Sequence, residues 1–201
     1  QRYFKTGKGQ YAEGDIFLGL TVPEVRAIVK KYRDRVTLAD VAKLLLSKYH
    51  ELRLAALHFL VFIYEHSDDA KVHKAIFLLY TNNTENINNW DLVDTSAAQI
   101  VGAYISNHMP HEERVLFIDR YCKSTDLWKN RIIVLATFYQ IKKGNEKMLY
   151  YVARFLMHHP HDLIHKAIGW MLREVGKRDQ KTLSVFLEEY SGVMPRTMLR
   201  Y

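Results

Sequence analysis

Three tryptophans recur about forty residues apart, and each is followed one helical turn later by a charged residue. The segments are Trp90-Asp-Leu-Val-Asp94, Trp128-Lys-Asn-Arg131 and Trp170-Met-Leu-Arg173. On a helix, residues three and four positions apart share a face, so each indole lies beside its charged partner. An earlier stretch, His50-Glu-Leu-Arg53, fits the same frame with histidine in place of tryptophan. The charged positions 53, 94, 131 and 173 are separated by 41, 37 and 42 residues.

That period belongs to helical-hairpin repeats of the HEAT or armadillo kind, which run roughly 40–47 residues. The apolar period along the chain is near 3.6 almost everywhere, and no long alternating run argues for a strand. Helices are predicted over 23–33, 38–47, 50–65, 69–80, 90–107, 111–122, 125–142, 145–158, 161–176, 179–190 and 195–201. Pro23 suits a first-turn position. Asn88-Asn89 supplies an N-cap before Trp90, and Gly144 and Gly176-Lys177 read as C-terminal stops. The expected fold is all-α: one right-handed stack of four to five antiparallel helix pairs, a single domain over 1–201 without an interdomain linker. Equivalent positions then line up along one wall carrying indoles, arginines and one carboxylate.

Bulk properties narrow the function. The 29 Lys and Arg outnumber 22 acidic residues, giving a formal charge of +7, which favours nucleic acid or an acidic surface as partner. One cysteine, Cys122, rules out an internal disulfide framework and a multi-cysteine metal site, and suits a reducing cytosol. No stretch approaches the roughly 18 apolar residues of a membrane span, and no signal peptide is visible. The chain opens at Gln1 rather than at methionine, which points to a preceding segment. The glycine-rich Thr6-Gly-Lys-Gly-Gln-Tyr-Ala-Glu-Gly14 lacks the Walker spacing and a preceding strand; it reads as a loop near the ligand. His158-His159-Pro160-His161 occupies a predicted turn, with no second ligand group to complete a metal site. Cys122 has no histidine base nearby in sequence, so a thiolate nucleophile has no support.

Asp94 stands out because Ala97, Ala98 and Val101 follow it, placing a carboxylate at the margin of an apolar stripe, where it needs a partner or a purpose. One reading is a structural ion pair with Arg131, which the register brings to equivalent height on the neighbouring helix. The other is a carboxylate poised against developing positive charge, with an indole face beside it. Arg53, Arg131 and Arg173 could each brace neighbouring repeats; together on one face they make a phosphate track. Trp170 follows Gly169, which permits close helix approach, and is either core or a second aromatic wall opposite Trp90.

Asn89-Trp90-Asp-Leu-Val-Asp94, Leu127-Trp-Lys-Asn-Arg131 and Lys166-Ala-Ile-Gly-Trp-Met-Leu-Arg-Glu174 resemble the signature segments of the AlkD-type DNA alkylation repair glycosylases. The opening Arg2-Tyr-Phe-Lys-Thr-Gly, the stretch Gly14-Asp-Ile-Phe-Leu-Gly-Leu-Thr-Val-Pro23 and the closing Met194-Pro-Arg-Thr-Met-Leu-Arg-Tyr201 are similar too, in order along nearly the whole chain. The resemblance implies HEAT-like repeats and hydrolysis of the N-glycosidic bond of N3- or N7-alkylated purines in duplex DNA, without metal or organic cofactor. It places the catalytic carboxylate on Asp94, the aromatic pair bracketing the lesion on Trp90 and Trp170, and a DNA-backbone contact on Arg131. Tyr3 matches a tyrosine near the cleft, and Arg173 and Arg53 are further candidate DNA contacts. It also implies action on alkylated double-stranded DNA in the bacterial cytosol or nucleoid, and a monomer is the default for a DNA clamp of this size. This chain departs from the family at its start, where most of the first helix is missing, and at His50.

One carboxylate suffices for that chemistry. Sugar hydrolases pair two carboxyl groups because an alkoxide leaves poorly, whereas a cationic alkylpurine departs neutral and needs no general acid. A shallow wall without a base pocket favours contact through backbone and sugar over extrusion of the base. Two rivals stand beside this reading: a non-catalytic HEAT-repeat module gripping DNA, and a protein-scaffolding solenoid that would bury both indoles.

Overall fold

The computed structural model describes residues 4–201. All regular structure among them is helical, and the only extended pairing is an isolated parallel bridge between Ile16 and Tyr49. The residues form two compact units, one ending at Ile100 and one running from Val101 to Tyr201. Each is built from helices of the HEAT-like repeat type.

The first unit contains α1 (Val22–Tyr32), α2 (Leu38–Leu45), α3 (His50–Glu65), α4 (Ala70–Thr81), a 3₁₀ turn (Thr84–Asn86) and α5 (Trp90–Asp94). Its start signals are explicit. Thr37 and Asp40 form a reciprocal capping box on α2, and the Asp69 carboxylate accepts the Lys71 N–H at 2.8 Å to begin α4, each satisfying backbone donors that a helix start leaves open. Helix α3 is apolar around most of its circumference. Leu54, Ala56, Leu57 and Leu60 are buried there, and α1, α2, α4 and α5 all pack against it.

The second unit holds α6 (Ala103–Asn107), α7 (His111–Cys122), α8 (Leu127–Ala136), α9 (Phe138–Ile141), α10 (Lys147–Leu156), α11 (Asp162–Gly176), α12 (Gln180–Tyr190) and α13 (Arg196–Arg200). Here the repeat is visible as packing: α7 pairs with α8 and α10 with α11, while α7 also meets α10 and α8 meets α11. The inner helices α8 and α11 carry Trp128-Arg131 and Trp170-Arg173 in equivalent places. Gly169 shows why α11 needs a glycine beside Trp170. A Cβ there would stand 2.5 Å from the Met198 carbonyl oxygen, so α13 could not approach.

The single helix expected over 90–107 is three pieces. Helix α5 ends at Asp94, a π-helical segment spans Ala98–Gly102, and α6 follows. Thr95 and Ser96 explain the break: their hydroxyls donate to the Asp91 and Leu92 carbonyls at 2.8 and 2.6 Å. Such back-bonding competes with the helix ladder and bends it. The helix expected over 125–142 is likewise divided at Thr137, whose buried hydroxyl donates to the Val134 carbonyl. Gly144 is a stop with φ of 74°. Gly176 is the last residue of α11 with Lys177 as its C-cap, and its missing Cβ also leaves room for Leu183 of α12.

Candidate active site

Helix α5 is only five residues long, so groups outside it must fix Trp90 and Asp94. Asn89, fully buried, accepts the Trp90 backbone N–H on Oδ1 at 2.8 Å and donates from Nδ2 to Asp15 at 3.2 Å. The Trp90 indole N–H donates to the Tyr11 hydroxyl at 3.2 Å, and the Phe4 ring is centred 5.1 Å from the indole. Trp90 is half-buried, and Asp94, one turn further on, is half-buried as well. An aromatic face and a carboxylate thus share one side of a short, braced helix at the protein surface.

Below α5 lies a buried polar network. His50 is 2% exposed, with Nε2 2.8 Å from Asp91 and Nδ1 3.4 Å from Asp15. Arg53, 5% exposed, donates to Asp15 at 2.6 Å, to Asn88 at 3.1 Å, and to the carbonyls of Ser47 and Lys48. Burial alone would raise the Asp15 carboxyl, but the hydrogen bond from His50 and the Arg53 guanidinium together hold it below its ordinary range. Burial likewise opposes charge on His50, yet hydrogen bonds and charge from Asp15 and Asp91 raise it above 6.5. His58, by contrast, is pushed down to about 4, chiefly by burial, with Arg26 adding and Asp91 opposing.

In the second unit, Trp170 is half-buried and Arg173 is exposed. Arg131 is 5% exposed and donates to the Leu163 carbonyl at 2.6 Å, which ties α8 to the first turn of α11. Trp128 is core, only 9% exposed. The recurring tryptophan therefore has two uses: packing at 128, partial exposure at 90 and 170.

The family model described as DNA alkylation repair enzyme matches residues 1–201. The chain belongs to that family. A solved structure, a predicted DNA alkylation repair enzyme from Enterococcus faecalis, shares the fold with a TM-score of 0.71 at 17% identity, over 94% of this chain and 88% of that one. Among curated proteins, none matches.

As a member of the DNA alkylation repair enzymes, the chain is an enzyme of alkylation repair, and DNA is the partner its family points to. Of the residues singled out in the sequence, Trp90, Asp94 and Arg53 fall in the first unit, and Trp170, Arg131 and Arg173 in the second. Tyr3 lies outside the described residues. The expectation that Arg53 joins a phosphate track meets an obstacle, because one terminal nitrogen is committed to Asp15 and Asn88, the other to the Ser47 and Lys48 carbonyls, and its surface is covered.

Sequence reasoning missed Tyr11, Asp15 and the buried role of His50. The signal for His50 was present: it occupies the first repeat's tryptophan position, and a polar ring in an aromatic slot demands a partner. Tyr11 and Asp15 had no periodic signal, since both sit in the loop ahead of α1.

Other clusters serve local structure. The His159 ring accepts the His161 N–H at 3.0 Å, and the His161 ring accepts the Leu163 N–H at 3.1 Å, capping α11. The described residues hold no group of three or more ligands suited to a metal ion, and no helix among them is long and apolar enough to cross a membrane. Burial pushes the Cys122 thiol up to about 12, which leaves it a packing residue.

Proposed function

We propose that the chain is a DNA glycosylase, acting as a monomer and a single functional domain, that hydrolyses the N-glycosidic bond of N3- or N7-alkylated purines in duplex DNA. The observation that carries this reading is the five-residue helix that holds Trp90 and the half-buried Asp94 one turn apart. The bond from C1′ to the purine nitrogen breaks, and its electron pair leaves with the base, which departs neutral because it was cationic. The sugar becomes oxocarbenium-like. Asp94 stabilises that charge, orients a water toward C1′ and takes the proton the water sheds. The Trp90 face favours the same cation, and Trp170 takes its aromatic role through the family resemblance. Arg173, exposed, has the accessibility a phosphate contact requires. Arg131 takes a backbone-contacting role through the family resemblance, and its bond to Leu163 also braces α11.

The non-catalytic alternative draws on the burial of Arg53 and Arg131, but it assigns no chemistry to the half-buried carboxylate of Asp94 beside Trp90. The test is release of free 7-methylguanine and 3-methyladenine from methylated duplex DNA by wild type and by Asp94→Asn. Release by wild type should fall by at least about a hundredfold in the variant, the scale of removing one preorganised electrostatic group, while DNA binding persists. Binding without release by either protein would make the chain a DNA-gripping module. Release of uracil, a neutral base, would sink the argument from a cationic leaving group.

A further inference from the structure

We propose that His50 is a positioning residue for Asp94: held between Asp15 and Asp91, its imidazolium locks the first turn of α5 onto α3 and the N-terminal loop. The inference rests on the glycosylase reading for its catalytic consequence, but not for its structural content. Both ring nitrogens of His50 face carboxylate oxygens, Asp91 at 2.8 Å and Asp15 at 3.4 Å. Ionised carboxylates only accept, and neutral imidazole has a single N–H, so only the doubly protonated ring satisfies both sides.

The surroundings of the ring restrict it further. Phe17 and Phe4 lie 4.7 and 5.2 Å from the ring centroid, and Phe4 also packs on Trp90. The charged groups around it are Asp15 from the loop, Asp91 from α5, and Arg53 from α3, which also pairs with Asp15. Glu51 of α3 is engaged elsewhere, accepting the Leu18 and Gly19 N–H groups at 2.8 and 2.9 Å. His58 is kept neutral chiefly by burial, with Arg26 adding to the effect. Asp91 is the second residue of α5 and Asp94 the fifth. With less than one turn of helix between anchor and carboxylate, and the chain bent just beyond by Thr95 and Ser96, the His50–Asp91 bond fixes the helix close to Asp94. Loss of the His50 proton removes one of its two donors and leaves a buried carboxylate facing a lone pair.

The experiment follows single-turnover base release from methylated duplex DNA across pH for wild type, His50→Gln and Asp91→Asn, with DNA affinity alongside. In the same proteins, NMR follows the His50 ring and the Trp90 indole N–H. We expect wild-type release to fall on the alkaline side with the pKa read from the His50 ring. His50→Gln should lose that limb and release base at least tenfold more slowly at neutral pH, with affinity changed less than about twofold. Asp91→Asn, which removes one carboxylate, should move the limb to lower pH. The Trp90 indole N–H, bound to Tyr11, should titrate with His50 in wild type and stay flat in His50→Gln. A Trp90 signal indifferent to His50 ionisation overturns the inference whether or not base is released. A folded His50→Gln with wild-type rate and pH profile overturns it as well. Wild type that releases no base while Trp90 tracks His50 would instead sink the glycosylase reading and leave the positioning role standing.

Discussion

At the scale of single residues, the first unit concentrates its polar side chains under one turn of helix. Asp15 serves three donors at once, from His50, Arg53 and Asn89, and it owes its low pKa to them against the opposing effect of burial. The two ends of the network then respond to pH in opposite directions. His50 has a folded pKa raised above 6.5, so its contribution to stability is complete below that value and is lost as pH rises through the folded value. Asp15 is lowered from 3.8; its contribution is present above that value and is lost as pH falls through the folded one. Urea midpoints of wild type should therefore decline both as pH rises above 6.5 and as it falls below 3.8, and His50→Gln should flatten the alkaline decline. A wild-type midpoint that keeps rising into the alkaline range would contradict the pairing. None of this was legible from composition. Trp90 and Asp94 could be singled out because periodicity marks them, whereas Asp15 reaches the site through a loop, and loops carry no period.

At the scale of elements, most helices begin and end within two residues of where apolar spacing and caps place them, and the starts are chemical: Thr37, Asp69, Asp126 and Asp179 each accept a backbone N–H at a helix start. The stretch after Trp90 is different. Its apolar pattern runs unbroken to Tyr104, and the break comes from Thr95 and Ser96 hydroxyls bonding backward, a competition that hydrophobic period cannot register. Close helix approach is the other hidden determinant. Gly169 was readable as a contact glycine, but its partner, the Met198 carbonyl of α13, is revealed only by packing. Gly169→Ala should force α13 off α11, with the Tyr201 Cβ also only 2.7 Å from the added methyl. Overpacking of this kind costs about 1–3 kcal/mol, so thermal unfolding should drop by several degrees and Arg200 should become cleavable by trypsin in the folded protein. An unchanged melting temperature would mean that α13 yields without resistance.

At the scale of the whole molecule, the relevant quantity is where the excess of 29 cationic over 22 acidic groups remains available to a polyanion. Counting arginines along the repeat suggests a track of three, yet burial sorts them. Arg53 is spent on Asp15 and two carbonyls, Arg131 is nearly covered, and Arg173 is exposed. Counterion release gives a way to separate them, because each phosphate contact contributes about −0.9 to the slope of log affinity against log salt on duplex DNA. Arg173→Gln should weaken binding to undamaged duplex and make that slope shallower by about 1, with little change in stability. Arg53→Gln should do the reverse. The slope should hold, while the protein loses stability because Asp15 is left buried with its main cation gone. Titrations at several salt concentrations, paired with urea unfolding of both variants, decide between the two roles. A shallower slope for Arg53→Gln would restore Arg53 to the phosphate track and require its ion pair with Asp15 to open when DNA binds.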